Sequence, residues 1–118
     1  MIIRFKVPNS EQVATIEVPH DIKEWRDARE AGAPALSLFY WTFGESECRG
    51  GICYPRINRW SFNRVKIEVE RVGIDAAYDC IEATAAHCFT HAVTNPFGLL
   101  YYRLKSLPPA DGIMNGGV

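Results

Sequence analysis

The sequence predicts a small α+β domain in which two helices pack on a mainly antiparallel sheet of four to five strands. Three observations carry this. Residues 2–7 and 13–18 alternate apolar with polar side chains, the period of a strand with one buried face. Residues 74–93 carry an apolar stripe at helical spacing. The 118 residues contain no repeat and no linker, and domains commonly run about 100–150 residues.

Taken in order, the first element is a hairpin. Ile3, Phe5 and Val7 fall on one face of its first strand, and Ala14, Ile16 and Val18 on one face of its second. Pro8-Asn9-Ser10-Glu11-Gln12 links them as a turn. Asp21 then offers a helix N-cap with Glu24 three residues on. Ile22, Trp25 and Ala28 share one face of that helix, and Gly32 and Pro34 stop it. Residues 35–43 are apolar on both faces and read as a central strand, or as a short buried helix. Residues 44–63 have no clean period, with a short strand expected near Ile57–Phe62. Residues 64–72 alternate again, with Val65, Ile67 and Val69 inward. The long helix follows, closed by Asn95-Pro96, and Leu99–Leu107 reads as a last strand. The order is β-β-α-β-(β)-β-α-β over residues 1–107, with 108–118 as a tail expected to be mobile.

Composition and charge exclude some classes. A net charge of −1 fits neither a histone-like basic protein nor an acidic mimic of DNA. Arg4 and Lys6 interrupt the N-terminal apolar run, so it lacks a signal-peptide core. No window approaches the roughly 18 apolar residues of a membrane span. The expectation is a cytoplasmic protein that avoids the membrane, with Cys48, Cys53, Cys80 and Cys88 reduced or metal-bound.

The charge is nevertheless uneven. Residues 1–47 carry 5 basic and 8 acidic side chains, and residues 67–118 carry 3 and 6. Between them, Arg49, Arg56, Arg59, Arg64 and Lys66 meet no acid. Tyr54, Trp60 and Phe62 are interleaved with them. Arginine joins a permanent charge to a flat, stackable fork of donors. Arg, Trp and Tyr are also the types that dominate protein–protein hot spots. The same mixture suits single-stranded nucleic acid, with bases on the rings and phosphates on the cations. Arg49, Tyr54, Arg56, Arg59, Trp60 and Arg64 are therefore the candidate partner-binding residues. A plainer alternative has Trp60 and Phe62 anchoring the segment in the core, with the arginines as a solvated surface.

Cys48 and Cys53 flank Arg-Gly-Gly-Ile, a spacing that permits a tight turn. His87 and His91 lie four apart on the predicted helix, so both rings can face one point. Together they make a Cys2His2 set of a kind zinc accepts, provided the fold bridges the gap between the pairs. The alternatives are that the cysteines are small buried hydrophobes and the histidines flank a helix face. A Cys48–Cys53 disulfide is possible in geometry but disfavoured by a reducing compartment.

No phosphate-binding, dinucleotide, zinc-protease or hydrolase motif is present. A Cys–His pair using Cys48 or Cys53 with His87 lacks any mark of an activated thiol except nearby Arg49. Glu45 and Glu47 serve as well as loop acids as paired carboxylates. The expected function is non-catalytic, stoichiometric binding of a protein partner, with nucleic-acid binding or a zinc-stabilised domain as alternatives. In size, class and lack of familiar signatures the chain resembles small inhibitors carried by bacteriophages and mobile elements, such as anti-CRISPR proteins. That likeness rests on no residue. It implies a host defence complex as target and steric inhibition. A homodimer through an exposed edge at 2–7 or 99–107 is a further possibility.

Overall fold

The alternating residues at the N-terminus form the expected hairpin. In the computed structural model, β1 (Ile2–Lys6) pairs antiparallel with β2 (Val13–Glu17), Ile3 opposite Ile16 and Phe5 opposite Ala14. The structure describes residues 2–7, 11–17, 21–30, 35–57 and 59–110, without the side chains of Glu17, Arg29, Glu45 and Arg59. The turn residues 8–10, Val18, His20, the helix stop at Gly32 and Pro34, and the tail from 111 lie outside the described residues. Helix α1 (Ile22–Glu30) starts as predicted, with the Asp21 Oδ1 accepting the Glu24 backbone N–H at 2.9 Å.

Four stretches expected as strands are helical instead: 35–43, whose alternative reading as a short buried helix holds, the stretch near Ile57–Phe62 from Arg59 on, 64–72, and 99–107 as far as Lys105. Residues 35–43 form α2 (Ala35–Phe43), with Ala35, Ser37, Leu38, Phe39 and Tyr40 all buried. An element that is apolar all round suits a buried helix as well as a central strand. This one contains no Gly or Pro and only Thr42 as a β-branched residue, whose hydroxyl donates back to the Leu38 carbonyl. Residues 59–72 form α3 (Arg59–Val72). Phe62, Val65 and Val72 are buried there, and Val69 packs on them from the edge. Steps of three, four and three are the helical period. Ile67, which a strand would turn inward, is 59% exposed.

Residues 96–105 form α5 (Pro96–Lys105), burying Leu100 and Leu104. Asn95-Pro96, expected to close the long helix, opens this one instead, since the long helix already ends at Thr90. The Asn95 side chain accepts the Gly98 N–H at 3.0 Å, and Pro96 sits where no N–H is needed. The long helix expected over 74–93 is α4 (Ile74–Thr90), three residues shorter; its stripe buries Ala77, Ile81 and Ala85, but Ile74 at its start is exposed.

The stretch expected to be irregular is a second hairpin, β3 (Glu45–Arg49) with β4 (Ile52–Arg56). Gly50 and Gly51 connect them with φ of 60° and 78°. Left-handed backbone at both positions is what a two-residue hairpin turn requires, and glycine adopts it without strain. The sheet order is β2-β1-β4-β3, and β1 runs parallel to β4. The result is a four-stranded mixed sheet with five helices among the described residues, in place of a mainly antiparallel sheet with two. Neither strand proposed for dimer pairing is an edge: β1 is interior, and residues 99–105 are helical.

Helix α2 touches β2 and β3 on one side and α4 on the other, so it forms the layer between sheet and outer helices. Phe39 is the hub of this layer, with ring centroids 6.4 Å from Trp25, 4.8 Å from Phe43 and 5.4 Å from Phe97. Helix α5 packs on both α3 and α4. Arg71 fastens its end, donating to the Leu104 and Lys105 carbonyls at 3.0 and 3.3 Å. Among the described residues no helix is long and apolar enough to cross a membrane.

A candidate basic and aromatic interface

The six candidate partner-binding residues divide between two elements. Arg49, Tyr54 and Arg56 lie on the β3–β4 hairpin, and Arg59, Trp60 and Arg64 on α3. In the hairpin, the Arg49 guanidinium lies 4.6 Å from the Tyr54 ring centroid. Arg56 Nη2 donates to Glu47 Oε2 at 3.2 Å. Glu47 stands one residue outside the acid-free run, but the register places it opposite Tyr54, diagonal to Arg56.

The helical half is built differently. Trp60 is 62% exposed at the start of α3. Arg64, one turn on, lays its guanidinium 4.0 Å from the Trp60 ring centroid. The same group lies 5.3 Å from the Tyr101 ring of α5, and its Nη1 donates to the Tyr101 hydroxyl at 3.2 Å. Lys105 Nζ sits 5.9 Å from that ring. Phe62 is not part of this surface: it is buried, with its ring 5.7 Å from that of Tyr40. The core-anchoring alternative thus applies to Phe62 and not to Trp60. The side chain of Arg59 lies outside the described residues.

Tyr101, Lys105 and Ile67 are additions that the sequence pattern missed. Tyr101 and Lys105 share a face only if residues 96–105 are helical, and Ile67 turns outward only if 59–72 are. The spacing Trp60, Arg64, Ile67 was the available signal.

The proposed zinc ligands do not assemble. Cys48 and Cys53 are directly opposed in the β3–β4 register and are joined as a disulfide. The glycine turn between them closes a hairpin rather than a metal knuckle. His87 and His91 do meet, rings stacked with centroids 4.2 Å apart. No group of three His, Cys, Asp or Glu side chains suited to a metal comes together among the described residues. Partial desolvation, the adjacent His91 and the Arg103 charge hold His87 below the ordinary histidine value of 6.5. The free thiols of Cys80 and Cys88 are pushed up by burial, which leaves them poor nucleophiles.

Fold and site together define a small α+β domain with a braced basic and aromatic face between α3 and α5. The chain matches no protein-family model, no curated protein and no solved structure.

Proposed function

We propose that this is a non-catalytic interaction protein that binds a protein partner stoichiometrically through the face formed by Trp60, Arg64, Tyr101 and Ile67. The single observation that carries this is Trp60, a large ring 62% exposed at a helix start yet held in place by Arg64. An aromatic anchor with few rotamers loses little entropy on binding. A cation fixed over it adds direction without having to be ordered at the moment of contact. Ile67 extends the face with aliphatic surface, which suits a protein partner better than a phosphate backbone. The partner that fits presents an apolar pocket rimmed by carboxylates. The inhibitor reading is a special case, in which that partner is a host defence complex and binding blocks it sterically.

Nucleic acid is the second reading, favoured by the same stack of cation on ring with no acid on Arg64 among the described residues. Salt separates the two: phosphate contacts weaken steeply as salt rises, and an aromatic-anchored protein contact does not. Cytoplasmic location belongs to the proposal only with Cys48 and Cys53 as thiols there, because disulfides persist in oxidising compartments.

The test is the double variant Trp60→Ala, Arg64→Ala, compared with the wild type for partner capture from the native host. Hot-spot residues cost about 2 kcal/mol or more each, so capture falls at least about thirtyfold. Unfolding is followed alongside by circular dichroism. A folded double variant that captures the same partner as well as wild type defeats the proposal.

A further inference from the structure

The β3–β4 hairpin is docked with little of what holds the helices. Strand β3 reads Glu45-Ser46-Glu47-Cys48-Arg49, with no apolar side chain apart from Cys48, and the sheet ends on it. Strand β4 meets β1 over two register pairs, Arg4 with Ile52 and Phe5 with Cys53. Among the described residues of the hairpin Cys53 alone is buried, 6% exposed beside the fully buried Phe5. Docking β3 also has a cost. The Ser46 hydroxyl is buried without a hydrogen-bond partner, and water supplies one once the strand moves out. The Arg56–Glu47 pair is open to solvent and adds little.

What fixes β3 is therefore the backbone ladder, the Gly50-Gly51 turn and the Cys48–Cys53 disulfide. A strand that is polar on both faces specifies its own register weakly, so the disulfide carries more of that task than it would in a strand with a buried face. The two cysteines are not equivalent. Cys48 is exposed on the edge strand, whereas Cys53 lies inside the sheet. Exchange begins when a thiolate attacks one sulfur of the bond, and access decides which sulfur is taken. The open edge of the sheet lies on the Cys48 side.

We propose that the Cys48–Cys53 pair is a thiol-exchange site, entered at Cys48 by a low-molecular-weight thiol of the glutathione class, and that opening it frees strand β3. In the first step the incoming thiolate bonds to the Cys48 sulfur. The Cys48–Cys53 bond breaks, and Cys53 leaves as a thiolate that takes a proton from water. A second small thiolate then attacks the small-molecule sulfur of the mixed disulfide, and Cys48 leaves in its turn and is protonated. Both cysteines end reduced, and two small thiols end oxidised as one disulfide. Arg49, Tyr54 and Arg56 are placed by this hairpin, so their arrangement follows the redox state. The Trp60 face lies on α3 and α5, so the two proposals stand or fall separately.

The experiment follows backbone amide hydrogen exchange by NMR in the full chain, before and after reduction with dithiothreitol. The disulfide closes a loop of sequence separation 5, and the chain entropy of so short a loop converts to about thirtyfold in an opening equilibrium. Amides of β3 should exchange at least about thirtyfold faster after reduction, and faster than those of α4, because the strand opens without the helices. Amides of β3 that stay as protected as those of α4 overturn the proposal, as does a disulfide that dithiothreitol leaves intact in the folded protein. Entry at Cys48 is tested by adding oxidised glutathione to Cys53→Ser and to Cys48→Ser and locating the adducts by peptide mass spectrometry. Glutathione should load Cys48 in the first variant and leave Cys53 unmodified in the second. Loading of Cys53 as fast as Cys48, or faster, overturns the proposal. If either variant fails to fold, the exchange measurement on the wild type decides alone.

Discussion

The two halves of the arginine-rich segment share residue types and end in opposite circumstances. In the hairpin, Arg56 reaches a carboxylate, because the antiparallel register sets Glu47 diagonally across from it. In α3, Arg64 meets rings and a phenol and, among the described residues, no acid. Glu68 lies one turn beyond Arg64, the usual position for a helical ion pair. It bonds instead to Arg71 at 2.8 Å, and Arg71 is held by the carbonyls ending α5. The packing of α5 on α3 thus does two things to Arg64: it draws away the acid and supplies Tyr101. A local excess of positive charge in a sequence becomes a usable surface only where the fold directs the neighbouring acids elsewhere.

The largest test of this contrast lies within α3 itself. Phe62 and Trp60 are two residues apart but differ in burial, 5% against 62% exposed. Phe62→Ala should cost about 3–5 kcal/mol, the usual cost of emptying a core site of an aromatic ring. Trp60→Ala should cost about 0.5–1 kcal/mol, the scale of an exposed cation–π contact. Denaturant unfolding of the two variants checks both. Similar losses would mean that Trp60 belongs to the core and that the proposed face is not a surface.

The legible parts of the fold were those where pattern and neighbours agree. The N-terminal hairpin, the Asp21 cap and the long helix α4 follow from local alternation, capping and stripe. Three helices were misread where local pattern is ambiguous. In α3, Val65, Ile67 and Val69 mimic strand alternation. Only the longer series Phe62, Val65, Val69, Val72 reveals the helix, and it extends back into a stretch that had looked irregular. In α2 the apolar residues leave no polar face to set a period. The candidate site was legible in its charge and aromatic content. Its geometry was not, since Tyr101 and Lys105 enter from a helix 37 and 41 positions beyond Arg64. A reducing compartment disfavours a Cys48–Cys53 disulfide, whereas the hairpin register favours it by placing the two residues face to face.

That disulfide gives the next effect in size. It closes a loop of sequence separation 5, so chain entropy assigns it about 2 kcal/mol, at the low end for such cross-links. Reduction with a dithiol, or Cys48→Ser, should lower unfolding stability by about that much. Partner binding through α3 and α5 should be unchanged, because neither helix contributes to the hairpin. If reduction abolishes binding while the helices remain folded, the hairpin half is part of the interface and the division drawn above is wrong.

The smallest effect concerns Arg56 and Glu47, whose side chains are 63% and 57% exposed. An ion pair so open to water is screened, and its two long side chains lose rotamer freedom in making it. Its net contribution is under about 1 kcal/mol, and Glu47→Gln should change stability by less than that. What the variant does change is charge: it leaves Arg56 as free of acid as Arg64 is. If only the helical half contacts the partner, affinity should stay within about twofold of wild type, as for most surface changes away from a site. A clear gain in affinity, lost again in Glu47→Gln with Arg56→Gln, would show that the hairpin half also faces the partner and that Glu47 normally restrains it.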